Sequence, residues 1–427
     1  MTSFQTSAAV LGGLLILGAL LSGIANRSVL SLAAVFVLAG FLLGNGATGV
    51  LKLQASSGFV TDLATVALIV ILFRDGLEVD AGFLQRQWQL PLRKLAIAMP
   101  VTAAVVALLT RLLTGLSWTE SFLLGALLSP TDPVLSSSVV SDRRVPHVIR
   151  HSLNLESGLN DGLALPAVLA FAAALEPGRS DFHWWHYILQ DVGLGLAYGA
   201  ACGLIGSVLM PRAGREPAEG PIPGHQRALY GLGLAFATYG LTVLPPHGNG
   251  LIAVFVAAIV VGVRRPDLRT VFAERAEEIV EVVKLGIFAV FGSLLTVHGL
   301  FGDGWAAVGI AAGALLLARP VAIGVALTGT RITASGKAFM AWFGPKGVST
   351  MAFALLILSH RVEAGARIFN LAALAVLMSI LLHGATDTAG PEWIARRRAP
   401  DADMSEPEGL RGATHDADVP GPPAGHG

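Results

Sequence analysis

Apolar residues run along this chain in long blocks separated by short polar breaks, and the pattern persists to about residue 390. A bilayer core about 30 Å thick needs roughly 20 mostly apolar residues per helical span. On that scale the blocks predict 13 spans, roughly 8–24, 29–46, 58–73, 95–114, 120–140, 151–175, 186–210, 227–244, 249–263, 279–298, 304–328, 336–359 and 368–386. The first block has no basic segment ahead of it, so it reads as a span and not as a cleaved leader. Residues 391–427 are rich in Pro, Gly, Asp and Arg with few apolar side chains to offset ordering, which predicts a disordered cytoplasmic tail. The fold class that follows is an all-α polytopic membrane protein, with residues 1–390 as its membrane domain.

Two blocks are interrupted in their middles, one by Ser129-Pro130-Thr131-Asp132-Pro133 and the other by Gly344-Pro345-Lys346-Gly347. Prolines three residues apart cannot continue a regular helix, because each lacks an N–H and crowds the turn before it. Broken spans at corresponding places in two halves point to a transporter's binding site. The breaks lie seven spans apart. Repeats of six helices, about 8–175 and 227–386, then flank a linker helix at 186–210. The linker reverses the second unit, so the repeats are inverted and their broken helices cross.

Composition sharpens this picture. Hydrophobic residues make up 53% of the 427 and charged ones only 14%, against about 25% charged in soluble domains. Mean hydropathy is +0.66. Net charge is zero, which gives no footprint for nucleic acid. The single cysteine, Cys202, excludes an intrachain disulfide and reads as a small packed residue. With the N-terminus outside, most loop lysines and arginines, including Arg93 and Lys94, fall on the inner side. Only Lys52, Arg111, Arg179, Arg361 and Arg367 fall outside. Trp118, Trp184, Trp185 and Tyr187 then sit at outer edges, as an interfacial belt should. The expected location is a bacterial-type inner membrane with the C-terminus in the cytoplasm.

A charge near the centre of a span costs about 2.5–3.5 kcal/mol, so each one there is a functional candidate. Asp132 and Lys346 lie at the breaks, Glu156 and Asp161 in the sixth span, and Arg319 deep in the eleventh. Lys284 also falls inside a span. On the sixth span Glu156 and Asn160 are one turn apart, and Ser157 and Asp161 are one turn apart on the adjacent face. These hard oxygen donors suit an alkali cation (Na+, K+ or Li+) and, with no Cys or His among them, not a transition metal. The unwound segment frees carbonyls near Thr131 to complete the coordination. A carboxylate taken out of water favours its protonated form, so it holds a proton or a cation but not both. Alternating access turns that competition into exchange, with Asp161 as the main exchanging group and Asp132 as a ligand or a partner in titration. Arg319 needs an acid; Glu156 is the first choice and Asp161 the alternative. Asp75 and Glu78, with Asp80, form a candidate cytoplasmic cation funnel or else a solvated helix end. His147 and His151, one turn apart, lack a third metal ligand nearby. Neither a Gly-x-Ser-x-Gly nor a zinc-protease motif supports an enzyme. A cation channel or ion sensor on the same scaffold is the competing reading.

The run Ser129-Pro130-Thr131-Asp132-Pro133-Val134, followed by Leu155-Glu156-Ser157-Gly158-Leu159-Asn160-Asp161-Gly162, resembles the sodium/proton exchanger family of monovalent cation:proton antiporters. The resemblance covers about residues 8–386. It implies a homodimer with a dimerisation domain and a mobile core domain, and no cofactor. Asn160-Asp161, where other relatives have two adjacent aspartates, resembles the electroneutral branch, which implies one cation per proton. By the same resemblance Thr131, Asp132, Ser157 and Asp161 map to ion-binding positions, Asn160 to a supporting one, and Glu156 with Arg319 to a structural pair. The chain departs from the family pattern at Arg74-Asp75, where a glutamate often follows Leu-Phe, and at Lys346, where the break often carries arginine. Lys284 resembles a lysine of electrogenic relatives.

Overall fold

The computed structural model describes residues 12–13, 16, 32–79, 89–132, 139, 142–176, 182–211, 222–360 and 362–397. Among these residues every regular element is a helix, without strands. Of the first expected span only residues 12, 13 and 16 are described, and they are helical. Asp80, Pro133 and residues 398–427 lie outside the described residues.

Helices α1 (Leu32–Leu43) and α2 (Gly58–Leu77) are followed by α3 (Gln89–Thr114), α4 (Trp118–Leu127), α5 (His147–Ala174) and α6 (Trp184–Leu209). Next come α7 (Gly224–Val243), α8 (Gly250–Arg264), α9 (Pro266–Arg275) and α10 (Glu277–Leu294). Then follow α11 (Trp305–Ala326), α12 (Ala334–Trp342), α13 (Val348–Ser359), α14 (Gly365–Thr386) and α15 (Ala389–Arg396). By length and composition α3, α5, α6, α11 and α14 are each able to cross a membrane.

Local chemistry explains the boundaries. A reciprocal capping box starts α4: the Ser117 N–H donates to Glu120 Oε2 at 2.6 Å and the Glu120 N–H to Ser117 Oγ at 3.3 Å. Asn249 Oδ1 accepts from two N–H groups at the start of α8. Helices α3 and α11 each contain a π-helical turn, at Lys94–Ala98 and Ala314–Ala318. In each, a proline follows two residues after that turn, Pro100 and Pro320. A proline crowds the carbonyl four residues back, and a locally wider coil relieves that crowding.

Close helix contacts rest on small residues. Gly199 and Gly203 of α6 lie against the backbone of α8 at Ala253 and Ala257, with no room for a Cβ, and Gly195 lies close to the Asn249 cap. Gly40 of α1 and Gly44 just after it press likewise on Ala289 and Ser293 of α10. Two helices depart from the sequence expectation. Residues 264–278 read as a loop, yet α9 forms there and buries Leu268, Val271 and Phe272 on one face. The stretch expected to be disordered from residue 391 begins within α15, whose Ile394 packs into a cluster with Phe339 and Phe343. Both were hidden because their apolar stripes are only one or two turns long.

Candidate functional site

The two interrupted spans meet. Helix α4 ends at Leu127 and the chain is irregular to Asp132; α12 ends at Trp342 and the chain unwinds to Gly347 before α13 begins. The Asp132 N–H donates to the Pro345 carbonyl at 2.8 Å, which joins the breaks directly. Each break carries the charge that the other helix end needs. Lys346 Nζ donates to the Pro130 and Ser129 carbonyls at 3.0 and 3.4 Å, just past the C-terminus of α4. Asp132 Oδ2 accepts the first N–H of α13, from Val348, at 2.8 Å. A cation at a helix C-terminus and an anion at an N-terminus are both favoured by the backbone dipoles. Thr350 Oγ1 donates to the Leu127 carbonyl at 3.2 Å, and the Lys346 N–H to Ser379 Oγ at 2.7 Å. The break's glycines make room: a Cβ on Gly344 would strike the Arg319 guanidinium, and one on Gly347 the Asp132 carboxylate.

Helix α5 crosses beside this junction and presents three stripes. The first holds Ser152, Glu156 and Asn160, each one turn from the next. Glu156 is buried and takes a forked pair from Arg319 of α11, Nη1 to Oε1 at 2.9 Å and Nη2 to Oε2 at 3.2 Å. Asn160 Nδ2 donates to Thr131 Oγ1 at 2.8 Å and to the Thr131 carbonyl at 3.0 Å. The Thr131 carbonyl, expected from the sequence to serve the ion, therefore already accepts one hydrogen bond. The second stripe holds Ser157 and Asp161, both buried. The Ser349 hydroxyl of α13 donates to Asp161 Oδ2. Asp161 Oδ1 and Asn160 Oδ1 are buried without a hydrogen-bond partner among the described residues. The third stripe is Gly158 and Gly162, facing Asp75 and Glu78 at the end of α2 and the Phe255 ring of α8.

Lys94 corrects the sequence reading. It was expected among the inner loop charges, yet its side chain is fully buried, with Nζ 2.5 Å from Glu156 Oε2 and 3.1 Å from both the carbonyl and Oγ of Ser152. It stands at the polar edge of an apolar block, so the sequence pattern cannot tell a flanking charge from a buried one. Ser349 is not legible in the sequence, because a hydroxyl in an apolar block carries little signal. The only hint is its place two residues beyond the Gly344–Gly347 break.

Asp75 is buried, and its carboxylate is held by Arg74 at 2.8 Å. Arg74 also lies 3.8 Å from Glu78 and 3.7 Å from Glu277 of α10, so its positive charge is met by three acids. Glu78 is more exposed than Asp75. Lys284 is buried on α10, and among the described residues no ion pair joins it to Asp161. His147 and His151 stack in parallel at the start of α5, 5.6 Å between ring centroids.

A family model described as sodium/hydrogen exchanger, transmembrane, matches residues 13–389. The chain is similar to a protein of Shewanella baltica named K(+)/H(+) antiporter NhaP2, 25% identical over 380 residues, covering 86% of this chain and 63% of that protein. It is also similar to K(+)/H(+) antiporter NhaP of Alkalimonas amylolytica, 24% identical over 399 residues, covering 92% of this chain and 68% of that one. The chain thus spans about two thirds of the length of these curated relatives. Its fold is similar to that of the sodium proton antiporter MjNhaP1 from Methanocaldococcus jannaschii, with a TM-score of 0.78, 19% identity, and coverage of 93% of this chain and 99% of that one.

Proposed function

Because this chain belongs to the sodium/hydrogen exchanger family, we propose that it is a secondary antiporter exchanging a monovalent cation for H+ at Asp161 by alternating access. The observation that carries this reading is the Asp161 carboxylate. It is buried beside the crossed breaks, with one oxygen held by Ser349 and the other without a hydrogen-bond partner among the described residues. A bare carboxylate in that setting is costly, and either a proton or an alkali cation relieves the cost. The hydroxyls of Ser157, Ser349 and Thr131 and the amide oxygen of Asn160 supply hard ligands around it. Arg319 and Glu156 neutralise each other beneath the site, which leaves Asp161 as the group that changes charge.

Asp132 has a double role in this reading. Its Oδ2 holds the start of α13, and its charge attracts the ion. Asp75 and Glu78 form the approach to the site, with Arg74 tempering their negative charge. One carboxylate exchanging one proton for one monovalent ion makes the cycle electroneutral. Na+, K+ and Li+ all fit such oxygens, and relatives named K(+)/H(+) antiporters support K+ among the substrates. The two broken helices belong to inverted repeats, about 8–175 and 227–386, and the protein works as a homodimer in an inner membrane.

Proteoliposomes carrying a fluorescent proton reporter test the assignment. In the wild type an imposed Na+ or K+ gradient moves protons, and the cation concentration for half-maximal exchange falls as pH rises, because proton and cation compete for one carboxylate. Asp161→Asn abolishes cation-driven proton movement while the protein still inserts. Full exchange by that variant sinks the assignment.

A further inference from the structure

Competition at Asp161 uses Glu156 and Arg319 as a neutral pair and has no need of a second buried cation. Lys94 is nevertheless there, with 0% side-chain exposure, its ammonium on Glu156 and on both oxygens of Ser152. Hydrogen bonding to Glu156 does not require it, since the Arg319 fork already engages both carboxylate oxygens. We propose that Lys94 is a positioning residue that fixes the rotation of α5 and thereby aims the Ser157–Asp161 stripe at the ion. This rests on the exchange reading above.

The geometry supports it from three sides. Ser152, Glu156 and Asn160 form one stripe along α5, and every member is gripped from another helix or break. Lys94 of α3 holds Ser152 and Glu156, Arg319 of α11 holds Glu156, and Thr131 receives Asn160. Ser157 and Asp161 lie about 100° further round the same helix. The opposite flank, Gly158 and Gly162, offers no side chain with which to resist rotation. Lys94 and Arg319 both stand at π-helical turns, Lys94 as the first residue of one and Arg319 directly after the other. Such turns change which way the following side chains point.

The magnitude is sufficient. A carboxylate about 5 Å from the helix axis moves by roughly 1.3 Å when the helix rotates by about 15°, against a tolerance near 0.5 Å for a binding constellation. With Lys94 gone, Ser152 loses its side-chain partner, and Glu156 is pulled from the α11 side alone.

The test uses the full chain in proteoliposomes, with Na+ and K+ as probes and melting temperature measured alongside. Lys94→Met raises the apparent KM for the cation about tenfold and leaves Vmax within about twofold; Ser152→Ala, which removes half the anchor and no charge, raises KM about two- to threefold with unchanged melting. Lys94→Arg, which keeps a cationic donor, recovers most of the affinity. An unchanged KM in Ser152→Ala and Lys94→Met, or a loss confined to Vmax or to melting temperature, overturns the proposal. If Lys94→Met does not fold, Ser152→Ala alone decides. A wild type that moves no protons in response to either cation refutes the exchange reading instead, and leaves the Lys94 contacts untouched.

Discussion

Glu156 shows how one residue distributes its work in a medium without water. Its carboxylate lies between Lys94 and Arg319, and each of the three side chains is buried. Burying charges is costly, and removing one member of a hydrogen-bonded cluster costs more than the cluster gained, about 3–5 kcal/mol, because the remainder stays charged and unpaired. Glu156→Ala therefore lowers stability first and transport second. A melting curve in detergent is the check, and a variant that melts like the wild type counts against the pairing. The need of Arg319 for a partner is legible in the sequence, since an arginine inside an apolar block must find an acid, and Glu156 is the first choice of the two candidates. The third member is not legible there. Lys94 sits where a block begins, and the side of the membrane boundary on which a lysine's long stem ends depends on what it meets.

At the scale of elements, helix ends and helix contacts follow different rules. The broken helices are legible from their prolines and flanking glycines, because a proline removes a donor wherever it stands. What each break does for the other needed the crossing: Lys346 serves the end of α4 and Asp132 the start of α13. Both charges stand out in the sequence as charges inside apolar blocks, and their structural use depends on the two breaks meeting. The glycines of α6 are a comparable case. Their four-residue spacing lets α6 lie on the α8 backbone at Ala253 and Ala257. Gly199→Val places a branched side chain on that backbone, and it lowers the melting temperature while leaving the cation KM near the wild-type value. A variant with normal melting and altered KM would place α6 in the ion site instead. Helices α9 and α15 show the limit of block reading. Their apolar faces are too short to stand out from loop sequence.

Over the whole molecule, the distribution of lysine and arginine predicts an N-terminus outside and a C-terminus in the cytoplasm. A tag after residue 427 cleaved by protease in everted vesicles and protected in right-side-out ones is the expected result; the reverse pattern would overturn the orientation. Hydrophobic blocks, their interruptions and the presence of charge inside them are local properties, because insertion is decided span by span against the cost of an apolar medium. The sequence by itself therefore determined an all-helical membrane architecture, the two broken segments, and Asp161 as the group to watch. Beyond the Arg319–Glu156 pair, tertiary structure alone decided the partners. Ser349 reaches Asp161 across 188 positions of chain, Val348 reaches Asp132 across 216, and Lys94 reaches Ser152 across 58. Such contacts follow from the angles at which helices cross and the faces they turn to one another. Those angles are set by the sum of many packing contacts, not by any one segment.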